Sequence, residues 1–576
     1  QHLMIEAGKG NGKSFAYLAP AALWALQNQK RVVISTNTIN LQEQLIQKDI
    51  PEIIETLNIK DLRAAVLKGR GNYICPRRFD AMRLRSPSTV EEMRILAKVM
   101  VWLVEGGSGD LNEINLNGPA ERQVWRRLSA DNEGCRSETC LGRMGGVCPS
   151  FQAKMAAQTA HLLVVNHALL LADVATGSRV LPEYEHLIVD EAHHLESATT
   201  NALSVRITEA DVSRLLRELG GSSSGLLGHI LAEIKIGLRP SDFAGFQKAI
   251  KRATDLAFRL EHDFRQLFEI TNLFLETQRG GQPVGQYGQQ VRITPATRTQ
   301  PDWGDVEIGW EQTHETLKLL LNLLEQIHHS IGNLDTVLPE ELEDAQSELG
   351  NLSIRILEWE THLNAFVNHP DEYFIYWVNL SSHGSRIALQ IAPLHIGSLM
   401  EQHLWHQKTS VILTSATLTT HGSFDYIRDR LYAADADEIV LGSPFDYQSS
   451  TLLYIADNIP EPSDYRNFQR AIEQTLVHLS KATGGQLMAL FTSYAQLRQT
   501  ARAITPLLLE NEIRVYEQGS GASANSLLDA FKADEHSILL GTRSFWEGVD
   551  IPGEKLSVLV IVKLPFDVPS DPIIAA

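Results

Sequence analysis

The chain contains little cysteine and no excess of basic residues. Only four cysteines occur among 576 residues, all of them between Cys75 and Cys148, which excludes an extracellular scaffold held together by many disulfides. The formal net charge is −19, which excludes a uniformly basic coat for nucleic acid but not a local basic groove. In a reducing compartment, clustered cysteines favour a metal or cluster site over disulfides.

Long hydrophobic runs are also missing. No apolar run reaches the about 18 residues that a helix needs to cross a bilayer, and no basic-then-apolar leader opens the chain. These absences predict a soluble, intracellular protein. The composition is that of ordinary globular proteins, and a length of 576 residues predicts three or four domains. Because Gln1 lies only a few residues before the first motif, we expect the chain to be a fragment.

A glycine-rich turn near the start organises the rest of the chain. It reads Gly8-Lys9-Gly10-Asn11-Gly12-Lys13-Ser14 and lies between an apolar strand and a predicted helix, with Ala7 at the position of the pattern's first glycine. Glycines let backbone N–H groups surround a phosphate, and the helix N-terminus adds partial positive charge. We expect Lys13 to contact the β- and γ-phosphates and Ser14 to hold Mg²⁺. The alternative is an ordinary glycine-rich surface loop.

Two adjacent carboxylates end a later apolar strand. His186-Leu187-Ile188-Val189 leads into Asp190-Glu191-Ala192-His193. In P-loop enzymes the aspartate at the strand end holds the metal ion that the P-loop serine also contacts, and a second carboxylate can deprotonate the attacking water. The alternative is that the pair only caps the next helix, which the upstream P-loop disfavours.

The segment 66–157 interrupts the α/β pattern and carries all four cysteines. Cys135, Cys140 and Cys148 are spaced C-x4-C-x7-C, with Cys75 upstream. The two C-x2-C pairs of a zinc ribbon are missing, so the spacing favours a thiolate-bound iron–sulfur cluster, with zinc or unliganded cysteines as alternatives. The segment has fourteen Lys and Arg against ten Asp and Glu, which suits either a surface along DNA phosphates or a solvated helix face.

Hydroxyl side chains follow two other predicted strands. Ser35 and Thr36 end one of them, with Thr38 in the turn that follows, and Ser415 and Thr417 end the other. These positions lie at the carboxyl edge of a parallel sheet, where open α/β sheets bind ligands. We therefore expect the side chains of the first set either to contact a nucleic-acid phosphate or to cap the next helix.

Three further regions complete the organisation. Long helical periodicity between 198 and 376 predicts a helical insertion without chemistry of its own. A strand at 386–391 is expected to return the chain to the first α/β domain, before a second α/β set with strands at 486–491, 513–516, 537–541 and 556–562. That second set contains no P-loop, so one nucleotide is expected between the two domains, where hydrolysis can drive their relative motion.

The motifs, taken in their order along the chain, resemble those of a known family. Gly-x-Gly-Lys-Ser, Asp190–His193, Ser415-Ala416-Thr417 and Gly541–Asp550 are similar to motifs I, II, III and V of superfamily 2 helicases. The inserted cysteines and the helical insertion resemble the iron–sulfur XPD/DinG branch. Lys68-Gly69-Arg70-Gly71-Asn72-Tyr73 and Ser443-Pro444-Phe445 resemble bacterial DinG-type helicases. The resemblance covers essentially the whole chain.

The resemblance implies an α/β fold with two RecA-like P-loop NTPase domains, a cysteine-rich iron–sulfur insertion and a helical arch insertion. The implied boundaries are residues 1–65, 158–197 and 377–425 for the first RecA-like domain, 66–157 for the iron–sulfur domain, 198–376 for the arch and 426–576 for a C-terminally truncated second RecA-like domain. The implied activity is ATP-dependent, 5′-to-3′ unwinding of duplex or branched DNA. A nucleotide- and DNA-binding module without efficient turnover is the alternative.

The resemblance also assigns cofactors, partners and residues. The cofactors are ATP, Mg²⁺ and a 4Fe–4S cluster, and the partners are single-stranded and forked DNA, bound by a cytoplasmic, nucleoid-associated monomer that contacts no membrane. The implied catalytic residues are Lys13, Asp190 and Glu191. The implied nucleotide ligands are Gly8, Gly10, Gly12, Lys13, Ser14, Glu547, Gly548 and Asp550. Ser14 and Asp190 would hold Mg²⁺, and Cys75, Cys135, Cys140 and Cys148 would hold the cluster. The implied DNA contacts are Ser35, Thr36, Thr38, Arg77, Arg78, Ser415 and Thr417.

Three positions depart from the family pattern or allow two interpretations. Lys9 and Asn11 stand where the family usually has threonine, and the second positive charge at Lys9 predicts slower turnover. Trp546 is expected either to face the bound strand or to pack in the core.

Overall fold

The computed structural model describes most of the chain. Outside the described residues are 9, 85–86, 88, 115, 117, 131–146, 177–179, 238–239, 281, 283, 285–287, 335–339, 382–385, 520–523, 543–544, 547–548, 550, 552, 567–570 and 576. Within the described residues, no helix is both long and apolar enough to cross a membrane.

Three sheets are built from the strands of the described residues. In chain order these strands are β1 His2–Ala7, β2 Val32–Thr36, β3 Ala64–Val66, β4 Leu162–Asn166, β5 His186–Asp190, β6 Val205–Thr208, β7 Gln289–Arg292, β8 Phe374–Leu380, β9 Ile387–Pro393, β10 Ser410–Ser415, β11 Ala436–Leu441, β12 Leu487–Leu490, β13 Arg514–Glu517, β14 Ser537–Gly541 and β15 Val558–Ile561. The sheet orders are β11-β1-β10-β5-β2-β4-β3, β13-β14-β12-β15 and β6-β9-β8-β7.

The α-helices of the described residues follow the same order. They are α1 Lys13–Asn28, α2 Ile39–Gln44, α3 Ile50–Thr56, α4 Pro76–Leu84, α5 Val90–Val104, α6 Gly118–Leu128, α7 Pro149–Thr159, α8 His167–Ala175, α9 Leu195–Ala202, α10 Glu209–Leu219, α11 Gly225–Gly237, α12 Pro240–Gln278, α13 Pro295–Arg298, α14 Trp303–Gly332, α15 Glu340–Val367, α16 Gly397–Met400, α17 Asp425–Leu431, α18 Tyr447–Ser450, α19 Tyr465–Thr483, α20 Tyr494–Leu509 and α21 Ala524–Ala533.

The first sheet is parallel throughout and is covered on both faces. Val33 packs with Leu163 in one core, whereas Ile34 packs with Val164 and with Leu18 of α1 in the other. Successive side chains of a strand point to opposite faces, so a strand buried on both faces needs a continuous apolar run rather than an alternating one. This requirement explains the unbroken apolar runs Val32-Val33-Ile34 in β2 and Leu162-Leu163-Val164-Val165 in β4.

Strand pairing differs from the sequence-based boundaries at two places. The strand expected at 386–391 forms as β9, but it pairs antiparallel with β8 and β6 in the third sheet rather than in the first. Residues 381–386 are too few for the crossover that a parallel neighbour requires, so β8 and β9 form a hairpin instead. Conversely, β11 pairs in parallel with β1 and extends the first sheet beyond residue 425. Periodicity identifies a strand but not the sheet that it joins.

The third sheet shares its core with the long helices. Val378 of β8 and Leu389 of β9 are buried in one hydrophobic cluster with residues of α12, α14 and α15, including Trp303 and Trp310. The insertion predicted to be helical is therefore a helical layer on an antiparallel sheet. The sheet runs to Pro393, beyond the expected boundary at 377.

A buried ion pair network joins the cysteine-rich segment to the first sheet. The ammonium of Lys68 is fully buried and contacts the carboxylates of Glu43, on α2, and Asp110, inside the segment. The hydroxyl of Tyr73 accepts a hydrogen bond from the Lys68 backbone N–H at 3.0 Å. Lysine is almost never fully buried unless it is paired, so these contacts explain why Lys68 stands before the first cysteine.

Candidate nucleotide and nucleic-acid site

The glycine-rich turn joins β1 to α1 in the expected strand–loop–helix order. Gly10 and Gly12 have φ of 88° and 67°, a region that glycine adopts without strain. A Cβ at Gly10 would also lie 2.1 Å from the ring of Phe445, so only glycine fits there. Lys9 lies outside the described residues, and the Asn11 amide donates to the Gly442 carbonyl at 2.7 Å.

The P-loop lysine meets the second of the two predicted carboxylates. Lys13 Nζ lies 3.3 Å from Glu191 Oε1, and the Ser415 hydroxyl lies 3.4 Å from Glu191 Oε2. Ser415 also lies 2.6 Å from Nδ1 of His193. The three motifs predicted at 8–14, 190–193 and 415–417 therefore converge on Glu191, because β1, β10 and β5 are neighbours in the sheet.

Asp190 is buried beside this network and is held by two donors. Its Oδ1 accepts from the Glu191 N–H at 3.0 Å, and its Oδ2 accepts from the hydroxyl of Tyr17 at 3.2 Å. Burial, followed by the nearby charge of Glu191, raises the pKa of Asp190 to about 6, and Lys13 opposes this shift. Lys13, the Tyr17 hydroxyl and the Glu191 N–H favour the ionised carboxylate, the form that binds metal.

Tyr17 and Glu6 are site residues that the sequence analysis missed. Tyr17 lies three residues after Ser14 and therefore on the same face of α1. Burial raises the pKa of the Tyr17 hydroxyl well above its usual value, so the hydroxyl keeps its proton and can donate it to Asp190. The Glu6 carboxylate accepts from the N–H groups of Leu418 and Thr419 at 2.7 and 2.6 Å, which fixes the loop after Ser415. The sequence did contain one signal for Glu6, because it is a charged residue inside an otherwise apolar strand.

The hydroxyl residues at the end of β2 and in the turn after it are less exposed than a DNA contact requires. Ser35 and Thr36 are fully buried, and Ser35 Oγ lies 2.8 Å from Nδ1 of His167. Thr38 caps α2 by accepting from the Leu41 N–H at 3.2 Å, as the alternative interpretation had it. Thr417, by contrast, is exposed at the same sheet edge. The DNA contacts assigned to these residues stay predictions.

Two of the four cysteines lie within the described residues. Cys75 and Cys148 are buried and free, and each directly precedes a helix, α4 and α7, that begins with proline. Cysteine side chains are the usual ligands of iron–sulfur clusters and of structural zinc. Among the described residues no three His, Cys, Asp or Glu side chains are grouped to hold a metal ion, but Cys135 and Cys140 lie outside that part of the chain.

The chain neighbours of Cys75 and Cys148 both lie beside Gly109. A Cβ built on Gly109 would lie 2.3 Å from Pro149 and 3.2 Å from Ile74, the neighbours of Cys148 and Cys75 in the chain. The two thiols thus belong to one part of the insertion, as ligands of one group require.

The remaining predicted residues are placed as follows. Arg77 is exposed on α4, whereas the Arg78 guanidinium donates to the Ser129 carbonyl at 3.0 Å. Trp546 packs partly buried in the core of the second parallel sheet and donates to the Phe491 carbonyl at 3.4 Å, which favours the core interpretation. Glu547, Gly548 and Asp550 lie outside the described residues.

A cavity opens beside the P-loop. It has a volume of about 790 Å³ and extends from Asn11 and Lys13 along α1 to Trp24 and His186. Of the residues predicted to bind nucleotide, Lys13 lines this cavity, whereas Gly8, Gly10, Gly12 and Ser14 do not, so the cavity lies between α1 and the sheet rather than at the phosphate loop.

Comparison with known proteins gives matches along the chain. The DEAD_2 family matches residues 129–212, and the helicase C-terminal domain family matches residues 476–576. The ATP-dependent helicase DinG of Mycobacterium tuberculosis is 30% identical over 608 residues, covering 100% of this chain and 80% of that protein. The 3'-5' exonuclease DinG of Bacillus subtilis is 29% identical, and the chain spans 61% of its length.

Two further similarities complete the comparison. The ATP-dependent DNA helicase YoaA of Haemophilus influenzae is 28% identical, covering 100% of this chain and 80% of that protein. A solved structure of XPD helicase matches with a TM-score of 0.45 at 13% identity, over 98% of this chain and 82% of that chain. With 30% identity to a DinG helicase of which it covers 80%, the chain belongs to the DinG family of helicases, within the XPD/DinG group.

Proposed function

We propose that this chain is the motor of an ATP-dependent DNA helicase. The observation that carries the proposal is the contact of Lys13 and Ser415 with opposite oxygens of Glu191. A phosphate-binding lysine, a carboxylate base and a hydroxyl from a third motif then share one site, which suits hydrolysis that is coupled to movement. Membership of the DinG family supports DNA as the polymer on which the motor acts.

The proposed hydrolysis uses the residues in distinct roles. Lys13 leaves Glu191 and contacts the β- and γ-phosphates, while Glu191 accepts a proton from the attacking water. Ser14 and Asp190 are the residues that would hold Mg²⁺, which neutralises charge that develops on the phosphates. Tyr17 keeps Asp190 oriented. The second RecA-like domain is proposed to complete the nucleotide site through Glu547, Gly548 and Asp550.

The finer assignments are also proposals. We infer translocation 5′-to-3′ on single-stranded DNA and unwinding of forked duplexes by a monomer at the nucleoid in the cytoplasm. DNA is proposed to follow the sheet edge at Thr38 and Thr417, above the buried Ser35 and Thr36, and to reach the cysteine-rich insertion near Arg77 and Arg78. Phosphate contacts of this kind give affinity without sequence preference.

Hydrolysis and unwinding assays test the proposal. We expect single-stranded DNA to raise the ATP turnover number of the full-length protein roughly tenfold or more, within the usual range of coupling between two sites. A duplex with a 5′ single-stranded tail should be unwound, and one with a 3′ tail should not. Turnover that ignores DNA would contradict the helicase and favour the alternative, a binding module without efficient turnover. Unwinding from the 3′ tail would reverse the proposed direction.

We also propose that the cysteine-rich insertion holds a 4Fe–4S cluster through Cys75, Cys135, Cys140 and Cys148. Cys75 and Cys148, two buried and free cysteines in the same part of the insertion, support this assignment because cysteine side chains hold such clusters. A bound cluster would also cross-link α4 to α7, since each follows one of these cysteines. The arch and the first RecA-like domain contribute no ligand in this proposal.

Measuring iron in the purified protein tests the cluster. Protein purified without oxygen should contain iron and sulfide, and Cys75→Ser should lose most of both together with the visible absorbance, because one thiolate ligand in four is removed. Thr159→Ala is a matched control, since Thr159 is exposed at the far end of the helix that begins after Cys148. Stoichiometric zinc without iron would contradict the assignment.

A further inference from the structure

The chain that follows β11, residues 442–445, runs beside the P-loop and has no role in the hydrolysis described above. β11 pairs in parallel with β1, and Leu441 is the partner of Ala7, so the residues after the two strands lie next to each other. The Asn11 side-chain amide donates to the Gly442 carbonyl at 2.7 Å. The segment is therefore held directly against the phosphate-binding turn.

This segment ends in a half-exposed aromatic side chain. The ring of Phe445 packs on Gly10, where an added Cβ would lie 2.1 Å from the ring, yet 54% of Phe445 is exposed. The Phe445 N–H donates to the Ser443 hydroxyl at 3.2 Å, and Pro444 between them restricts the backbone. The turn thus holds a flat apolar ring in place and leaves part of it open to a ligand.

The order of strands sets the direction in which a bound nucleotide extends. β10 and β5, which carry Ser415 and lead to Glu191, lie on one side of β1, and β11 lies on the other side. The attacking water and the leaving diphosphate are in line at the γ-phosphate, so they point in opposite directions. A triphosphate with its γ-phosphate between Lys13 and Glu191 therefore extends its nucleoside toward β11, the side on which Phe445 stands.

We propose that Phe445 is the residue on which the base of the bound nucleotide stacks. Stacking on an aromatic ring tolerates every base because each base has a π-face, so the ring adds affinity without selecting adenine. This inference rests on the proposed nucleotide site and identifies the residue that binds the base. Gly10 is then required twice, for its backbone conformation and for the space that the ring fills.

Calorimetric titration of the full-length protein with Mg²⁺ and either ATP or inorganic tripolyphosphate tests the proposal. Tripolyphosphate carries the phosphates of ATP but no base. Phe445→Ala is expected to weaken ATP binding roughly fivefold or more, as the loss of one stacked base does, and to change the dissociation constant of tripolyphosphate by less than about twofold. Phe445→Trp keeps a flat aromatic ring and should retain the affinity for ATP.

Two variants serve as controls. Phe258→Ala removes a phenylalanine that is 71% exposed on α12, away from the P-loop segment, and should leave both dissociation constants unchanged. Lys13→Ala removes a phosphate ligand and should weaken both ATP and tripolyphosphate, which establishes that the two ligands share the phosphate-binding turn.

Three results with Phe445→Ala would overturn base stacking and leave the nucleotide site intact. Equal losses of affinity for ATP and tripolyphosphate would mean that the ring only supports the turn. Tighter binding of both ligands would mean that the ring obstructs the turn, and unchanged ATP affinity would mean that the base lies elsewhere. ATP binding that does not respond to Lys13→Ala would instead overturn the proposed nucleotide site itself.

Discussion

Glu191→Gln is expected to lower the DNA-stimulated turnover number by about 10²–10⁴-fold, the usual contribution of a positioned general base. Glutamine is nearly the same size as glutamate, but it cannot accept the proton of the attacking water. Nucleotide affinity should be retained or strengthened, because the carboxylate 3.3 Å from Lys13 Nζ is removed and the lysine is free to meet phosphate. Steady-state hydrolysis and equilibrium nucleotide binding measure the two effects separately.

Glu185→Gln is the matched control for this variant. Glu185 directly precedes the same strand, is exposed, and pairs with Lys30 at 2.7 Å, so its loss should leave turnover unchanged. Turnover above about a tenth of the normal rate in Glu191→Gln would be too high for a lost general base and would remove Glu191 from that role.

Lys13→Ala is expected to weaken nucleotide binding by roughly 10- to 150-fold, which corresponds to the about 1.5–3 kcal/mol of a hydrogen bond to a charged group. Lys13 begins α1 directly after Gly12, so its ammonium adds to the positive end of the helix dipole at the place where phosphate is expected. The variant also leaves Glu191 without its partner of opposite charge, which repels the triphosphate further. Calorimetric titration with Mg²⁺ and ATP measures the dissociation constant.

Lys30→Ala provides the comparison. Lys30 follows the other end of the same helix, is half exposed and pairs only with Glu185 among the contacts of the described residues, so nucleotide affinity should not change. Equal affinities for Lys13→Ala and the unaltered protein would show that the glycine-rich turn binds something other than a nucleotide triphosphate.

The two variants also separate binding from chemistry. A base that acts only on the attacking water changes the turnover number at constant affinity, whereas a phosphate ligand changes affinity as well. Opposite effects on affinity are expected here, because Lys13 and Glu191 neutralise each other before nucleotide binds. That opposition follows from their 3.3 Å contact and not from the motifs alone.

The sequence predicted the chemistry of the site better than its surroundings. Gly12, Lys13, Asp190 and Glu191 follow from short patterns because a phosphate cradle and a strand-end carboxylate need particular residue types at particular spacings. Tyr17 was missed because a tyrosine on a helix usually packs in the core. Only the 3.2 Å distance from its hydroxyl to Asp190 shows that it also donates a hydrogen bond to the predicted metal ligand.

The domain boundaries depend on which strands pair, and the sequence did not show this. The strand at 387–393 was expected from its apolar residues, but its partners β6 and β8 come from segments on both sides of the long helices. β11 lies at the edge of the first sheet with Ile439, Val440 and Leu441 exposed, and its short apolar run does not show which sheet it joins. Hydrogen bonds between strands depend on which backbones meet, and local periodicity carries no information about that.

The sequence by itself determined that this chain has a P-loop, a carboxylate pair at a strand end and clustered cysteines, because each of these depends on residue type and spacing along the chain. Only the tertiary structure decided that Ser415 and Lys13 meet at Glu191, that Ser35 turns inward to His167, and that Tyr17 holds Asp190. These contacts join residues that are far apart in sequence. They exist because the order of strands in the sheet, rather than the order of motifs in the chain, sets which side chains are neighbours.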